Sequence, residues 1–253
     1  MKQSIKEYVE VITLRKKSDI AKATGALLSG KLAVMKMGSI YGLFFNPQIP
    51  GLANTLNRLK MRVVSQSLSL LCSCEQAKAF ADRERVNADF YNITPELCHK
   101  VLVRFPVNTS LDLPFPYNAS NGTVQFYSLE ATHPILCDFQ RHLFTDGCPC
   151  LSGTSANIHG APTIETLADA KRLAVLFNIE ASFWGLENIE IVVIDVPAAH
   201  NCNQGSFPIL GFDNPASIEV VRLMNKVGRE ATAQYLEPVI QMHNFASPLI
   251  FAV

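Results

Sequence analysis

The chain has 253 residues, with 22 Lys and Arg balancing 22 Asp and Glu, so its formal net charge is zero. Hydrophobic residues make up 48%, which supplies a real core, excludes a disordered chain and leaves no surplus charge for a general polyanion binder. The first residues, Met1-Lys2-Gln3-Ser4-Ile5-Lys6-Glu7, lack an apolar signal core, and no apolar run has the length of a membrane span.

The predicted elements alternate between strand and helix. Residues 9–14 (V-E-V-I-T-L) read as an edge strand, and Ser18-Asp19 cap a helix through Ile20, Leu27 and Leu28 that Gly30 closes. Residues 31–37 (K-L-A-V-M-K-M) are a second strand, running into a glycine-bearing loop from Gly38-Ser39 through Ile40-Tyr41-Gly42-Leu43. Pro47 and Pro50 bracket a turn before a helix at 52–59, which ends in Lys60-Met61-Arg62. Residues 67–72 form a strand, 75–81 a helix, and 100–105 and 123–127 two further strands separated by a proline- and asparagine-rich loop. His133-Pro134 leads a helix over 135–143. After it come a helix over 164–177, a strand over 189–196, a loop at 199–205 and a short strand at 207–212. A last long helix is expected over 218–236, with an apolar tail over 238–253 that adds a strand or packs across the core. This order predicts one α/β domain with a mixed sheet over residues 1–253.

Seven cysteines, Cys72, Cys74, Cys98, Cys137, Cys148, Cys150 and Cys202, are spaced for neither a disulfide framework nor a C-x-x-C zinc site. They read as reduced, partly buried thiols, and with the missing signal core they predict a cytoplasmic protein without a resident metal. His133, His142 and His159 are too scattered to add one. P-loop, G-x-G-x-x-G and G-x-S-x-G patterns are absent from the sequence.

Two constellations carry chemistry. Residues 153–160 (G-T-S-A-N-I-H-G) read as a turn between a strand end at 148–152 and a helix opened by Pro162-Thr163. Short donors on Thr154, Ser155 and Asn157, with the unpaired N–H groups of a helix start, suit a phosphate; a plain turn is the competing reading. Lys60 and Arg62, just past a helix, either reach one polyphosphate together or form a solvated helix end.

Taken in order, Ser39-x-Tyr41-Gly42-Leu43, Lys60-x-Arg62 leading to Ser67-Leu68-Ser69-Leu70-Leu71, and Thr154-Ser155-Ala156-Asn157-x-x-Gly160 resemble the YrdC family, the threonylcarbamoyl-AMP synthases and their relatives. The resemblance runs from about residue 20 to 228. It implies a twisted, mixed α/β sheet around a concave cavity. It also implies a nucleotidyltransferase that makes threonylcarbamoyl-adenylate and pyrophosphate from ATP, bicarbonate and L-threonine, with Mg2+. The product serves N6-threonylcarbamoyladenosine formation in tRNA, through tRNA or a tRNA-modifying partner protein. Carried onto this chain, Lys60 and Arg62 grip the phosphates and the intermediate, and Thr154, Ser155 and Asn157 hold phosphate and adenylate. Ser39 contacts the amino acid, Tyr41 lines its pocket, and Lys226, in a K-x-G where the family has R-x-G, adds a cation. Ser206 matches a family serine before the last strand.

The chain also departs from the pattern. Where the family reads P-T-D/E-T-x-Y-G-L, this chain reads Lys36-Met37-Gly38-Ser39-Ile40-Tyr41-Gly42-Leu43. Where it reads V-G-V-R-x-P, here stands Thr123-Val124-Gln125-Phe126-Tyr127-Ser128, without the arginine. The nucleotide-facing motifs are thus better preserved than the substrate-facing ones. Two expectations follow: an enzyme acting on L-threonine or another amine, or a catalytically silent member that binds nucleotide or RNA.

Overall fold

The computed structural model describes residues 9–37, 40–63, 66–158, 161–186, 189–197, 207–224 and 228–252. In chain order the elements are β1 (Glu10–Thr13), α1 (Lys17–Leu28), β2 (Leu32–Lys36), β3 (Tyr41–Phe45), α2 (Leu52–Leu59), β4 (Ser69–Leu71) and α3 (Cys74–Phe80). Then come α4 (Pro95–Cys98), β5 (Leu102–Pro106), β6 (Thr123–Tyr127), α5 (Pro134–Thr145), β7 (Leu151–Ser155) and α6 (Leu167–Phe183). Last are β8 (Ile191–Asp195), β9 (Ile209–Asn214), β10 (Ser217–Arg222), α7 (Gly228–His243) and β11 (Leu249–Phe251). The fold is mixed α/β. The chain forms two compact units, one of residues 1–66 and 133–202, the other of 67–132 and 203–253.

The first unit is built on strands in the order β1-β8-β2-β3-β7. β8 runs parallel to both β1 and β2, while β3 is antiparallel to β2 and to β7. Its central strands β2, β3 and β8 are buried along their whole length, as their apolar runs require of strands covered on both faces. α1 packs on β1 and α5, and α6 lies against β8. The register aligns the ends of these strands. Thr13 pairs with Asp195, Lys36 with Tyr41, and Gly42 with Ser155, so one edge of the sheet carries Asp195, Lys36, Tyr41 and Ser155 side by side. Phe44 pairs with Gly153, and a Cβ at Gly153 would run into the Phe44 ring and the Leu43 carbonyl. That crowding is why β7 carries glycine at a position that β-propensity disfavours.

The second unit has strands in the order β4-β6-β5-β9-β10-β11. Its core is aromatic: Phe90 stacks on Phe105 at 4.8 Å and meets Phe126 and Phe212 edge-on. The tail is held by side chains. Asp89 accepts from the amides of Ala246 and Ser247, and Asn87 Nδ2 donates to Ser247 Oγ at 3.0 Å.

Several sequence expectations are corrected. The helix expected over 218–236 is instead a strand, β10, followed by α7. Ile218, Val220 and Val221 favour the pleat, and the turn at Pro215-Ala216 folds β10 back antiparallel on β9. The helical periodicity belongs further on, and α7 runs through Pro238 to His243 before β11 pairs parallel to β10. Residues 41–43, expected as loop, begin β3. The turn expected from residue 153 begins after Ser155, because residues 153–155 continue β7 against β3. The helix expected from residue 164 starts at Leu167, where Thr166 Oγ1 caps the Asp169 amide. In α1 the cap is Lys16, and Asp19 sits inside the first turn, accepting from the amides of Arg15 and Lys16. The loop expected at 199–205 lies outside the described residues.

Candidate anion-binding site

The site is made where α2 ends. Lys60 caps the helix, Met61 turns into the left-handed region at φ 54°, and two hydrogen bonds close the end: Met61 N to Arg58 O at 2.9 Å and Arg62 N to Asn57 O at 2.9 Å. This is a Schellman closure, a place where glycine is usual. A methionine there costs about 1 kcal/mol or more. The geometry sends neighbouring side chains to opposite sides. Met61 is 68% exposed, whereas Lys60 is completely buried and Arg62 half-buried.

Both cations reach β7. Lys60 Nζ donates to the Ser155 carbonyl and, at 2.9 Å, to Asn157 Oδ1. Ser155 Oγ donates to the same Asn157 oxygen at 2.7 Å, and Asn157 Nδ2 donates to Ala161 O at 2.5 Å. The amide is thereby oriented, with its oxygen toward the ammonium. Arg62 donates from one terminal nitrogen to Thr154 Oγ1 at 2.9 Å, while its buried Nε has no partner. An ammonium has three N–H donors, and the described residues take up two of those on Lys60. Among the described residues no carboxylate pairs with either cation. Burial, and then the nearby Arg62 charge, push the Lys60 ammonium down from its ordinary value of 10.5 to about 7. Burial also lowers Arg62. Two adjacent, desolvated cations held by neutral oxygens are chemically suited to an anion.

Of the residues that the sequence singles out, Lys60, Arg62, Thr154, Ser155 and Asn157 come together here. The expected helix N-terminus does not, since α6 begins ten residues beyond Asn157. The positive groups gathered here are therefore side-chain cations and not a helix N-terminus. Tyr41 is close by in register, and its carbonyl accepts from Ala156 N at 2.9 Å. Its side chain faces a different network, donating to Asp195 Oδ1 at 2.5 Å, with the Lys36 ammonium 4.9 Å over the ring. Burial and the Asp195 carboxylate both drive the Tyr41 phenol upward, so it stays protonated. Lys36 and Asp195 escaped the sequence reading. A charge ending each of two apolar strand runs, L-A-V-M-K and I-V-V-I-D, is the signal that could have found them. Ser39, Lys226, His159, Gly160 and Ser206 lie outside the described residues.

No family model matches the sequence, and no curated protein does. Solved structures do match in fold. Sua5 from P. abyssi in complex with L-threonine gives a TM-score of 0.62 at 16% identity over 96% of this chain and 62% of that one. A double-alanine variant of the same Sua5 gives 0.61 at 17% over 94% and 64%. YciO from E. coli gives 0.60 at 12% over 84% and 93%. The chain thus spans a little under two thirds of the length of those Sua5 structures. At such identities the likeness is one of fold: this chain has the mixed α/β fold of Sua5 and YciO, that of the YrdC family.

Proposed function

We propose that this chain is a YrdC-type nucleotidyltransferase that joins ATP, bicarbonate and an amine, L-threonine in the first instance, into a carbamoyl-adenylate with release of pyrophosphate. The observation that carries this reading is the pair Lys60 and Arg62, whose described partners are all uncharged oxygens. Like charges withdrawn from water without a counter-charge are costly, and a bound polyphosphate removes that cost. The fold supports the reading, since Sua5, of the same fold, has been solved with L-threonine.

The chemistry asks little of the protein beyond placement. The amine and bicarbonate condense to a carbamate with loss of water. A carbamate oxygen attacks the α-phosphorus, the bond to the bridging oxygen breaks, and pyrophosphate leaves. No covalent enzyme nucleophile is needed. Lys60 and Arg62 hold the triphosphate and neutralise the charge that builds up on it, each contributing about 2–4 kcal/mol to the transition state. Thr154, Ser155 and Asn157 fix the two cations and line the phosphate position. Among the described residues no cluster of His, Cys, Asp or Glu could hold a metal. The donors around Lys60 are cationic or neutral and do not fit a protein-held Mg2+; magnesium enters on the nucleotide. The product is a reactive mixed anhydride that an acyl transfer must consume, and transfer to tRNA is the step that the YrdC resemblance implies.

Titration of MgATP into the wild type and into a Lys60→Ala, Arg62→Ala double variant tests the reading. Micromolar binding lost in the variant, with amine- and bicarbonate-dependent pyrophosphate release in the wild type, is expected. Wild-type protein that binds no nucleotide overturns it. A second reading, a silent nucleotide- or RNA-binding module, is favoured by β6, where Phe126 stands at the place of the arginine in the YrdC pattern. Salt-sensitive RNA binding without turnover would select it.

A further inference from the structure

Lys60 carries a second chemistry besides its charge. A neutral lysine amine has two N–H donors and one lone pair. Among the described residues two acceptors meet Lys60 Nζ, the Ser155 carbonyl and Asn157 Oδ1. In the neutral form both N–H groups are therefore used, and the lone pair is left unclaimed. The amine is withdrawn from water beside the Arg62 guanidinium, a setting that makes a lysine nucleophilic. Because burial brings its value down to about 7, roughly half of it is neutral at pH 7, about a thousandfold more than for an ordinary lysine. Arg62 has donors for a negative product. One terminal nitrogen is on Thr154 Oγ1, and the buried Nε has no partner among the described residues. The other buried lysine among the described residues, Lys36, is placed differently. Its Nζ donates to Glu165 O at 2.9 Å and lies 4.9 Å over the Tyr41 ring, whose hydroxyl is bonded to the Asp195 carboxylate. Those groups attract an ammonium and repel an anion.

We propose that Lys60 is a carbon dioxide site: its neutral amine takes up CO2 as a carbamate, with Arg62 as the counter-cation. The Nζ lone pair attacks the carbon, an N–C bond forms, and one C=O π pair moves onto oxygen. Nζ then gives one proton to water, so amine and CO2 become carbamate and a proton. The carbamate nitrogen keeps one N–H. No acceptor is stranded, because Asn157 Oδ1 also accepts from Ser155 Oγ at 2.7 Å and the Ser155 carbonyl from Asn157 N at 3.0 Å. The only co-reactant is CO2, which bicarbonate supplies by equilibrium. One consequence rests on the function proposed above. The carbamate reverses the charge of one of the two groups that grip the phosphates, so CO2 opposes nucleotide at this site.

Trapping in the absence of nucleotide tests this. The full chain is equilibrated with carbon-13-labelled bicarbonate at a pH just above 7, and carbamates are alkylated with a trialkyloxonium salt. Peptide mass spectrometry then reads which residues carry the label. The α-amino group, with an ordinary value of about 8, also reacts with CO2, and bicarbonate is raised until that group is labelled. Label on Lys60 is expected, together with a carbamate resonance in the carbon-13 spectrum that Lys60→Met lacks. Arg62→Gln should lower the occupancy of Lys60 by about tenfold, the loss of one charge-assisted contact. Label on the α-amino group with none on Lys60 overturns the proposal. So does an occupancy that Arg62→Gln leaves unchanged. A chain that forms the carbamate but binds no nucleotide removes only the function proposed above. One that binds nucleotide and leaves Lys60 unlabelled removes only this inference.

Discussion

Two arginines in this molecule, one in each unit, are treated in opposite ways. Arg104 on β5 meets Asp213 through Nε at 2.9 Å and a terminal nitrogen at 2.7 Å, with Glu219 at 3.8 Å. Arg62, after α2, meets one threonine hydroxyl, keeps a buried Nε without a partner, and stands next to the buried Lys60. The first cation is answered by the fold. Among the described residues the second is answered by neutral oxygens only, which hold a cation in place without cancelling its charge. The difference separates a group that stabilises the protein from one that is kept at some cost to it, and groups of the second kind cluster at functional sites.

The largest effect expected from this contrast is on binding. The Lys60→Ala, Arg62→Ala double variant should lose at least about 100-fold in MgATP affinity, at roughly 1.5–3 kcal/mol per charge-assisted contact. Isothermal titration reads this directly, and a variant that binds as well as the wild type would separate the phosphates from this pair. Stability should move the other way. In Lys60→Met, Ser155 O still accepts from Asn157 N at 3.0 Å and Asn157 Oδ1 from Ser155 Oγ, so no acceptor is stranded. Its melting temperature should equal or exceed that of the wild type. Arg104→Met should destabilise by about 2–3 kcal/mol, because Asp213 and Glu219 are left partly buried and facing each other's charge. Chemical denaturation of the two methionine variants side by side gives opposite signs if the contrast holds.

Tyr41→Phe sits lower on the scale. It removes the donor at 2.5 Å from the buried Asp195 carboxylate and should cost about 1–2 kcal/mol of stability. MgATP affinity should change less than about threefold, since the hydroxyl faces Asp195 and not Lys60. A large loss of affinity in this variant would place the phenol in the nucleotide site.

How much of this was legible in the sequence depends on how local the determining contacts are. The helix at 52–59 and the strand at 123–127 were read with the boundaries that the structure gives, because cap, periodicity and turn signals lie within each segment. The 218–236 stretch was misread because Val220 and Val221 acquire their meaning from β9, across a turn. The YrdC resemblance assigns Lys60, Arg62, Ser155 and Asn157 to one ligand, and the structure brings these side chains together. How they gather was not legible, since it depends on the left-handed Met61 and on Ser155 being a strand residue. The Tyr41–Asp195 bond spans 154 positions, and nothing local to either residue announces it.

The smallest effect is the most specific to Lys60. Its folded value of about 7 lies below its ordinary 10.5, so between those limits the unfolded chain binds more protons than the native one. Stability contributed through this group therefore rises with pH across that window, and at pH below about 7 the full cost of the buried charge is felt. Anion binding has the opposite sign. A bound phosphate favours the protonated ammonium and raises its value, so complex formation near pH 7 takes up about half a proton. Affinity should be flat below pH 7 and fall by less than about tenfold per pH unit above it. Arg62 remains charged throughout and contributes no slope. Titrations in buffers of different ionisation enthalpy should reveal the proton uptake in the wild type and none in Lys60→Met. A wild type that binds MgATP without proton uptake would mean that the Lys60 ammonium is already fully protonated before the anion arrives. The counter-charge responsible would then have to come from within the protein, and the contrast with Arg104 would disappear.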